Sequence, residues 1–442
     1  MNKPLPTIAI LGASGLIGES LSFQLSHEGF AVVPIARRFT TAQRAAVGTA
    51  AIERPIVALS ADALARIFAE YKIDIVVNCI GVLQDGHHES TDTVHRIFVT
   101  HLLAALGARD DSALLVHLSI PGNIEDDPTL FSQTKREGER AIMAGSVPYL
   151  ILRPGFVLAP SAYGGSAFMR AIAALPFELP LRLSDRPFAA TDVADIGRTI
   201  AVAAQRWHEE ERAWNAVWDV MERRPSTVGD VIETLRRRLG GPKSRLTVPF
   251  WLMEAGARAG GFIAHLGWSP PIRRTALREL RRGVTGDPGP WIAVTGIEPA
   301  SFDSILQRLP VTVQEKWFAR LYLTKALILA SLAGFWIVSG LIALMFSFNA
   351  ARAILTSHGF GPMLAEVVTV VSSIADIAVG LAISVRRTCR IGLLSGIALS
   401  FFYMAGAVVI TPDMWIDPLG ALVKTVPAIV LMLVGLATLE NR

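Results

Sequence analysis

The stretch Thr7-Ile-Ala-Ile-Leu-Gly12-Ala-Ser-Gly15-Leu-Ile-Gly18 decides the fold of this chain. A short apolar strand leads directly into three glycines spaced three residues apart, and an amphipathic segment follows. In such a βα turn one glycine makes the tight turn, one lets the backbone approach a pyrophosphate, and one lets helix and strand pack closely. The helix N-terminus adds free N–H groups and the positive end of its dipole. The pattern predicts a dinucleotide site formed by Gly12, Ala13, Ser14, Gly15, Leu16, Ile17 and Gly18.

The first part of the chain alternates apolar strands with segments of helical periodicity. This alternation predicts a Rossmann-like, doubly wound parallel α/β sheet. From residue 153 to residue 305 the pattern is less regular, which indicates a small subdomain on the substrate side. The predicted strands are Thr7–Leu11, Ala31–Ala36, Ile56–Leu59, Asp74–Cys79, Ala113–Ser119 and Pro148–Leu152.

The end of the chain is much more apolar than the rest. Over all 442 residues the mean hydropathy is +0.43 and only 18% of residues are charged, against about 25% in soluble proteins. The apolar excess follows a linker at residues 306–320, and four segments there reach the ~20 residues that cross a bilayer core. They predict an all-α transmembrane four-helix bundle over residues 321–442, with spans near 321–347, 362–385, 391–410 and 419–439.

The charges that flank these spans predict their orientation. Lys316 and Arg320 precede the first span, and three arginines lie at residues 386–390, between the second span and the third. The next connection contains Asp413 and Asp417 and no Lys or Arg. Connections rich in Lys and Arg stay in the cytoplasm. We therefore expect a multi-pass protein of the cell (inner) membrane, with both termini and the nucleotide domain cytoplasmic.

Other classes of protein and site are disfavoured. The first six residues lead straight into a strand, so we expect no secretory signal. Cys79 and Cys389 lie far apart, and His87 and His88 have no carboxylate or cysteine at ligand spacing, so we expect neither a disulfide framework nor a metal site. The net charge is +4, and no basic run alternates with aromatic residues, so nucleic acid is not an expected partner.

Arg37 and Arg38 follow the second predicted strand, where an acidic residue would bind the adenosine ribose of NAD. An arginine there suits a 2′-phosphate, so NADP(H) is favoured over NAD(H). The alternative is a solvated pair of charges at a strand end. Asn78 and Gly81 close the fourth strand, and their backbone is expected to lie beside the central part of the cofactor.

Several motifs in this order resemble an extended short-chain dehydrogenase/reductase. They are the three glycines, Asn78-x-x-Gly81, Ser119 at a strand end, Lys135 opening a helix and Arg153-Pro154-Gly155 after the next strand. The most similar type is the atypical branch that includes the NADPH-binding accessory subunit of respiratory complex I. The resemblance extends from Thr7 to Ile305 and defines a first domain at residues 1–305. The four apolar segments resemble the DoxX-like membrane family, some members of which are linked to quinone-coupled redox chemistry.

The resemblance also implies a catalytic centre, from which this chain departs. In active members a Tyr stands four residues before the Lys and exchanges a proton with the substrate, while the Lys holds the nicotinamide ribose. Ser119 and Lys135 occupy the expected positions, but residue 131 is Phe. His117 and Tyr163 are alternative proton donors, although a core role for His117 is favoured, and Cys79 is expected to be a small core residue.

Charged and aromatic residues near the membrane segments suggest further roles. By depth, Glu366 is expected to pair with Lys424 and Lys325 with Asp376, either as packing contacts or as part of a proton or quinone path. Lys325 has the alternative of reaching inward to the interface. The connector residues Trp251, Phe262 and Trp268, with arginines nearby, suit either a membrane headgroup layer or ordinary packing on the sheet.

The sequence as a whole predicts a membrane-anchored NADP(H)-binding protein that performs redox chemistry on a quinone-like or lipid-like substrate. Phe131 favours the alternative of a non-catalytic, NADPH-binding assembly or regulatory subunit of a membrane complex. The expected partners are the lipid bilayer, a membrane complex or further copies of the chain.

Overall fold

The strand that begins at Thr7 lies inside a parallel sheet. The structure is a computed structural model of the chain. It describes residues 4–86, 90–109, 111–123, 125, 127–243, 245–416, 420 and 422–439. The strands are β1 Thr7–Leu11, β2 Ala31–Ala36, β3 Ile52–Glu53, β4 Ile75–Asn78, β5 Leu114–Leu118, β6 Tyr149–Pro154, β7 Phe156–Leu158, β8 Phe177–Glu178, β9 Pro187–Phe188, β10 Ala190–Asp192, β11 Asn215–Val220, β12 Ser226–Thr227 and β13 Leu246–Thr247. Seven of them form one sheet in the order β11-β6-β5-β4-β1-β2-β3. All neighbouring pairs in it are parallel.

Helices cover both faces of this sheet, as a parallel sheet requires. Neighbouring residues of β5 show the two layers, because Leu115 and Val116 are both fully buried but belong to separate apolar clusters. The helices of this part are α1 Leu16–His27, α2 Thr41–Val47, α3 Ala61–Glu70, α4 Phe98–Gly107, α5 Leu130–Met143, α6 Gly164–Ala174, α7 Leu181–Ser184, α8 Val193–His208, α9 Val228–Leu239, α10 Phe250–His265, α11 Arg274–Arg282, α12 Gly289–Thr295 and α13 Phe302–Arg308.

The predicted α/β sheet is confirmed, but one predicted strand is wrong. Residues 56–59 begin with a 3₁₀ turn, Ile56–Ala58, and the short strand β3 lies just before it and pairs with β2. Pro55 has no N–H to donate to a ladder, and the Ile56 N–H bonds to Arg54 O within a turn. Ile56 is buried all the same. The apolar run therefore contains a buried residue, Ile56, but forms a turn and not the predicted strand.

The chain divides into two compact units, residues 1–261 with 271–319 and residues 262–270 with 320–442. The second unit is helical. Its helices are α14 Val313–Leu341, which begins in the first unit, α15 Phe348–Ser357, α16 Pro362–Ser384, α17 Cys389–Ile410 and α18 Thr425–Leu439. Glycines let α14, α16 and α17 approach closely: a Cβ at Gly380 would lie 2.8 Å from Ala333 O, and one at Gly392 would lie 2.7 Å from Ile383 N.

Three of the described helices are long and apolar enough to cross a membrane: Val313–Phe346, which is α14 with a following π-turn, then α16 and α17. The fourth predicted span is shorter in the structure. Of residues 419–439, the helix α18 has only 15, which is about 22 Å at 1.5 Å per residue, and a hydrocarbon core is about 30 Å thick. Residues 417–419 and 421 lie outside the described part of the chain.

The predicted ion pair between Glu366 and Lys424 is wrong. Glu366 Oε1 instead accepts a hydrogen bond from Arg352 Nη1 at 2.5 Å, while Lys424 is exposed in the turn before α18. Arg352 belongs to α15, a short helix between the first two spans that the hydropathy pattern did not separate from its surroundings. The nearer cation therefore neutralises the carboxylate.

The predicted pair between Lys325 and Asp376 is also wrong. Lys325 Nζ donates to Thr438 O in the last turn of α18, where exposed carbonyls and the negative end of the helix dipole attract a cation. Asp376 Oδ1 accepts from the Tyr403 hydroxyl at 2.8 Å. The sequence gives the depth of each residue in the membrane, but depth does not show which faces of two helices are in contact.

Candidate functional site

The glycine-rich turn between β1 and α1 forms a cradle of backbone groups. Gly12 has φ +82°, a conformation that side chains with a Cβ rarely adopt. A Cβ at Gly18 would lie 2.4 Å from Gly12 O, so only glycine allows α1 to start this close to β1. Gly15 caps α1 without a side-chain hydrogen bond. The first N–H groups of α1 therefore have no side-chain cap, as an anion site at a helix N-terminus requires.

Arg37 and Arg38 follow β2 directly beside this cradle, and both are exposed. The structure adds a carboxylate that the sequence analysis missed, Glu53, which β3 aligns with Ala36. Its Oε1 accepts from Phe39 N–H at 2.8 Å, and its Oε2 lies 2.5 Å from Arg44 Nη2. The Phe39 N–H and then Arg44 hold the pKa of Glu53 below its usual value. The acid is thus already bound by a backbone N–H and a guanidinium.

Asn78 and His117 form a buried polar pair where β4 and β5 lie side by side. Asn78 Oδ1 accepts from Ile80 N–H at 3.1 Å, which turns the amide nitrogen toward His117 Nδ1, also at 3.1 Å. His117 Nδ1 is therefore an acceptor, and the ring proton is on Nε2. Burial, then Lys135, lowers the pKa of His117 well below its usual value. Within the described residues, its buried Nε2 makes no hydrogen bond.

Ser119 and Lys135 come together, as the sequence predicted, where β5 ends and α5 runs past it. Lys135 Nζ donates to Leu118 O at 2.8 Å and lies 3.4 Å from the position that a Cβ on Gly81 would take. Burial lowers the pKa of Lys135 to about 8. The buried Ser119 Oγ makes no hydrogen bond of normal geometry in the part of the chain that is described. His117 Nε2 is thus left for a ligand, while Ser119 Oγ lies against Glu139 and helps to lower the pKa of that carboxyl.

Phe131 occupies the first turn of α5, one turn before Lys135, and its ring meets the edge of His95. His95 Nε2 accepts from Val82 N–H at 3.2 Å, so Nδ1 carries the proton and donates to Thr134 Oγ1 at 2.9 Å. Burial and then Lys135 lower the pKa of His95 to about 2, which keeps it neutral. His95 was missed because it lies in an ordinary helical pattern; the π-turn Thr93–Ile97 that holds it has no sequence signature.

A buried network of charges supports this part of α5. Arg153, from the Arg-Pro-Gly motif, binds both oxygens of Glu139 at 2.8 and 2.6 Å. Arg136 is 1% exposed, lies 3.2 Å from both Glu139 and Asp127, and donates to Ile120 O at 2.9 Å. Burial opposes the charge on Glu139, but the Arg153 hydrogen bonds, with Ser119 and Arg136, outweigh it and lower the pKa of that carboxyl. The network ties α5 to the loop that follows Ser119.

The remaining candidates are placed as follows. The Tyr163 hydroxyl donates to Glu19 Oε2 at 3.2 Å, in the first turn of α1, and its role over a nicotinamide stays a prediction. Burial raises the pKa of Cys79 to about 12, so its thiol is unreactive. Among the described residues no group of His, Cys, Asp and Glu is suited to a metal ion. His87 and His88 lie outside the described residues.

Comparisons with known proteins support this architecture. The family described as RmlD substrate binding domain matches residues 6–228, and the DoxX-like family matches residues 333–433. No curated protein matches the chain. A UDP-glucuronic acid 4-epimerase from Bacillus cereus, solved with UDP-glucuronic acid and NAD, is 15% identical and covers 72% of this chain and 100% of its own, with a TM-score of 0.51. A dTDP-glucose 4,6-dehydratase from Bacillus anthracis, solved with NAD, is 14% identical and covers 72% and 98%, with a TM-score of 0.52.

At these identities the solved structures show the fold alone. Together with the two family matches, they confirm a short-chain dehydrogenase/reductase-like first part and a C-terminal DoxX-like domain. That domain, with its three long apolar helices, indicates a membrane protein.

Proposed function

The chain belongs to the RmlD substrate binding domain family, which matches residues 6–228, and on that basis we propose that it is a membrane-anchored NADP(H)-binding protein with a redox function. The proposed substrate is a quinone-like or lipid-like molecule. The observation that carries this proposal is the retention of Ser119 and Lys135 around a glycine-only cradle, combined with Phe131 in place of a phenol.

The residues of the site fit a nicotinamide dinucleotide. The cradle at Gly12 and Gly18 excludes side chains where a pyrophosphate would approach the backbone. Lys135 would hold the hydroxyls of the nicotinamide ribose, and Arg37 and Arg38 would bind a 2′-phosphate. Glu53, which β3 aligns with Ala36 just before those arginines, is already bound by Arg44 and by the Phe39 N–H, and this supports NADP(H). Both similar structures were solved with NAD, which supports a nicotinamide cofactor in general.

Because residue 131 is Phe and has no phenol, the proposed substrate is one whose reduction depends little on an acid in the protein. Bound NADPH would supply a hydride, and a quinone that receives it takes up one proton from solvent to become a hydroquinone, leaving NADP⁺. We expect the N–H at His117 Nε2, and Ser119 Oγ once it turns from Glu139, to donate hydrogen bonds to an acceptor oxygen without giving up a proton. Reduction of an ordinary carbonyl needs a positioned acid, whose loss costs about 10²–10⁴-fold in rate. A quinone-like acceptor depends less on that acid.

A second function is favoured by the packing of Phe131 on His95. With an apolar ring and a neutral, fully bonded imidazole in this place, the domain would bind NADPH as a structural or regulatory ligand. The protein would then assemble or regulate a membrane complex. In both cases we propose that the nucleotide domain and both termini are cytoplasmic, since Arg386, Arg387 and Arg390 connect the second and third spans.

NADPH oxidation separates the two functions. Purified full-length protein in lipid nanodiscs is supplied with NADPH and either a quinone or a hydrophobic aldehyde, with Lys135→Met as the matched control. Quinone-dependent oxidation that is lost in Lys135→Met supports the redox function. If NADPH raises the melting temperature but is oxidised with neither acceptor, the regulatory function is supported instead. Absence of both effects contradicts NADPH binding itself.

A further inference from the structure

Helix α10 presents an apolar face that the protein leaves uncovered. Trp251 is 68% exposed and Phe262 is 70% exposed, and Leu252 and Ile263 are exposed as well. A soluble surface rarely carries two aromatic side chains this open on one helix. The sequence allowed either a membrane headgroup layer or ordinary packing on the sheet for these aromatic residues, and packing does not account for them.

The exposed apolar side chains share one side of α10. At 100° per residue they fall within an arc of about 120°. We call this arc the apolar face; it consists of Trp251, Leu252, Ala255, Ala259, Phe262 and Ile263, all of which are exposed. Arg258, also exposed, lies at one edge of the arc. No charged residue interrupts it.

The opposite side of α10 is the one that packs against the protein. Met253, Ala257 and Gly260 are its buried residues. A Cβ at Gly260 would lie only 2.3 Å from Ile272 O, so glycine allows the backbones to touch there. The direction of α10 is therefore fixed by its small-residue side, and the apolar face points away from that contact.

The last turn of α10 belongs to the helical unit. Residues 262–270 form one unit with residues 320–442. Arg386 N–H donates to Leu266 O at 3.0 Å, and Trp268 Nε1 donates to Ser384 O at 2.7 Å. The Arg386 guanidinium also lies over the Trp268 ring, 5.4 Å from its centroid. These contacts attach the end of α10 to the point where α16, the second membrane-capable helix, ends.

The end of α16 marks a membrane–water boundary. A spanning helix leaves the hydrocarbon core where its apolar run stops, and here Ser384 is followed by Arg386, Arg387 and Arg390. Tryptophan and arginine are residues that favour the headgroup layer. Leu266 and Trp268, which hydrogen-bond to Arg386 and Ser384, would therefore lie at the level of the lipid headgroups, and Phe262 lies one helical turn before Leu266.

We propose that α10 is an interfacial helix that lays its apolar face on the lipid bilayer. The aromatic and aliphatic side chains of that face would enter the boundary between headgroups and acyl chains, and Arg258 at its edge would meet anionic headgroups. Continuity with the membrane-capable helices favours lipid over a second copy of the chain. The proposal concerns binding to the bilayer and does not depend on the cofactor or on the redox function.

Spin labels on α10 test this directly. Ala255→Cys and Ala259→Cys replace small exposed residues, and Ala69→Cys, an exposed alanine of α3, is the matched control. Each variant is labelled with a nitroxide in full-length protein in nanodiscs that contain anionic lipid. The unsubstituted protein, with Cys389 buried and Cys79 half-buried, corrects for background labelling.

Collision rates with oxygen, which enriches in lipid, and with a water-soluble nickel chelate are then compared. The expected ratio of oxygen to nickel collisions is roughly tenfold or more higher at residues 255 and 259 than at residue 69, with Arg258→Cys in between. A nickel-dominated signal like that of residue 69 would show that the face is in water. Low collision rates with both reagents would show that protein, such as a second copy, covers it. Either of these results overturns the proposal.

Discussion

The ring of Phe131 meets the imidazole of His95 edge-on, with ring centroids 5.5 Å apart and an angle of 72° between the planes. Helix α5 fixes both side chains, because Phe131 belongs to it and His95 Nδ1 donates a hydrogen bond to Thr134 Oγ1 of the same helix. The resemblance to short-chain dehydrogenases/reductases implies a tyrosine at residue 131 in active members, and here an apolar ring packed on His95 stands at that position.

Phe131→Tyr is predicted to create carbonyl-reductase activity. The new phenol lies one turn from Lys135, whose positive charge favours the phenolate and so makes it a better acid. NADPH-dependent reduction of a hydrophobic aldehyde should rise by about 10²–10⁴-fold over the unsubstituted protein. Phe131→Leu serves as the control and should show no gain. An inactive tyrosine variant that still binds NADPH would mean that the substrate cleft has been rebuilt.

Gly18→Ala is predicted to damage both cofactor binding and stability. The added Cβ would lie 2.4 Å from Gly12 O, so α1 must move away from the cradle. Overpacking of this kind costs about 1–3 kcal/mol. Thermal melting with and without NADPH measures both effects. Gly107→Ala is the matched control, because nothing lies within 4 Å of its added Cβ; comparable losses in both variants would argue against a special role for Gly18.

NADPH affinity is predicted to fall as pH rises through about 8. Burial lowers the pKa of Lys135 to about 8, so the ammonium that we propose binds the ribose is present below this pH and is lost above it. Isothermal titration between pH 6.5 and 9.5 measures the effect. In Lys135→Met the affinity should be weak and nearly independent of pH over this range. An unsubstituted protein with a flat profile would contradict the role of Lys135.

Glu139→Gln is predicted to destabilise the protein at neutral pH. It leaves Arg136 and Arg153 without their shared carboxylate, and breaking a buried ion pair costs about 3–5 kcal/mol. The folded pKa of Glu139 is lowered from 4.5, so its contribution is complete above that value and is lost as pH falls through the lowered pKa. The difference in melting temperature between variant and parent should therefore shrink in acid.

The matched control for this effect is Glu70→Gln, which removes an exposed carboxylate at the end of α3. Its melting temperature should differ little from that of the parent at any pH. A similar loss in both glutamine variants would show that net charge, and not the buried network, is responsible.

Local patterns predicted the elements that depend on neighbours in sequence. The strand and glycines of residues 7–18 are read correctly because the turn needs particular residues at particular spacings. The order of motifs predicts a shared site for Ser119 and Lys135, and α5 brings Lys135 to the end of β5, where its Nζ donates to Leu118 O. The sequence did not distinguish between a membrane-facing and a packed role for the aromatic residues of α10, because composition does not show which side of a helix is covered by protein.

The features that were missed depend on contacts distant in sequence. Arg352 neutralises Glu366 from a short helix that hydropathy hides. Glu53 lies beside the end of β2 because β3 consists of residues 52–53 and pairs with β2. The apolar run had instead predicted this strand at residues 56–59. His95 reaches Phe131 from a π-turn, Thr93–Ile97. Such a turn contains one extra residue, which changes the direction of the side chains, and the sequence does not indicate it.

Both proposed functions require that the cradle, with Arg37 and Arg38, binds NADP(H). The most direct test is calorimetric titration of NADPH and NADH into the full-length protein in nanodiscs, repeated with Arg37→Asp. We expect NADPH to bind roughly tenfold or more tightly than NADH, and Arg37→Asp to weaken NADPH binding much more than NADH binding. Equal affinity for the two cofactors, with an equal effect of the substitution on both, would contradict this expectation.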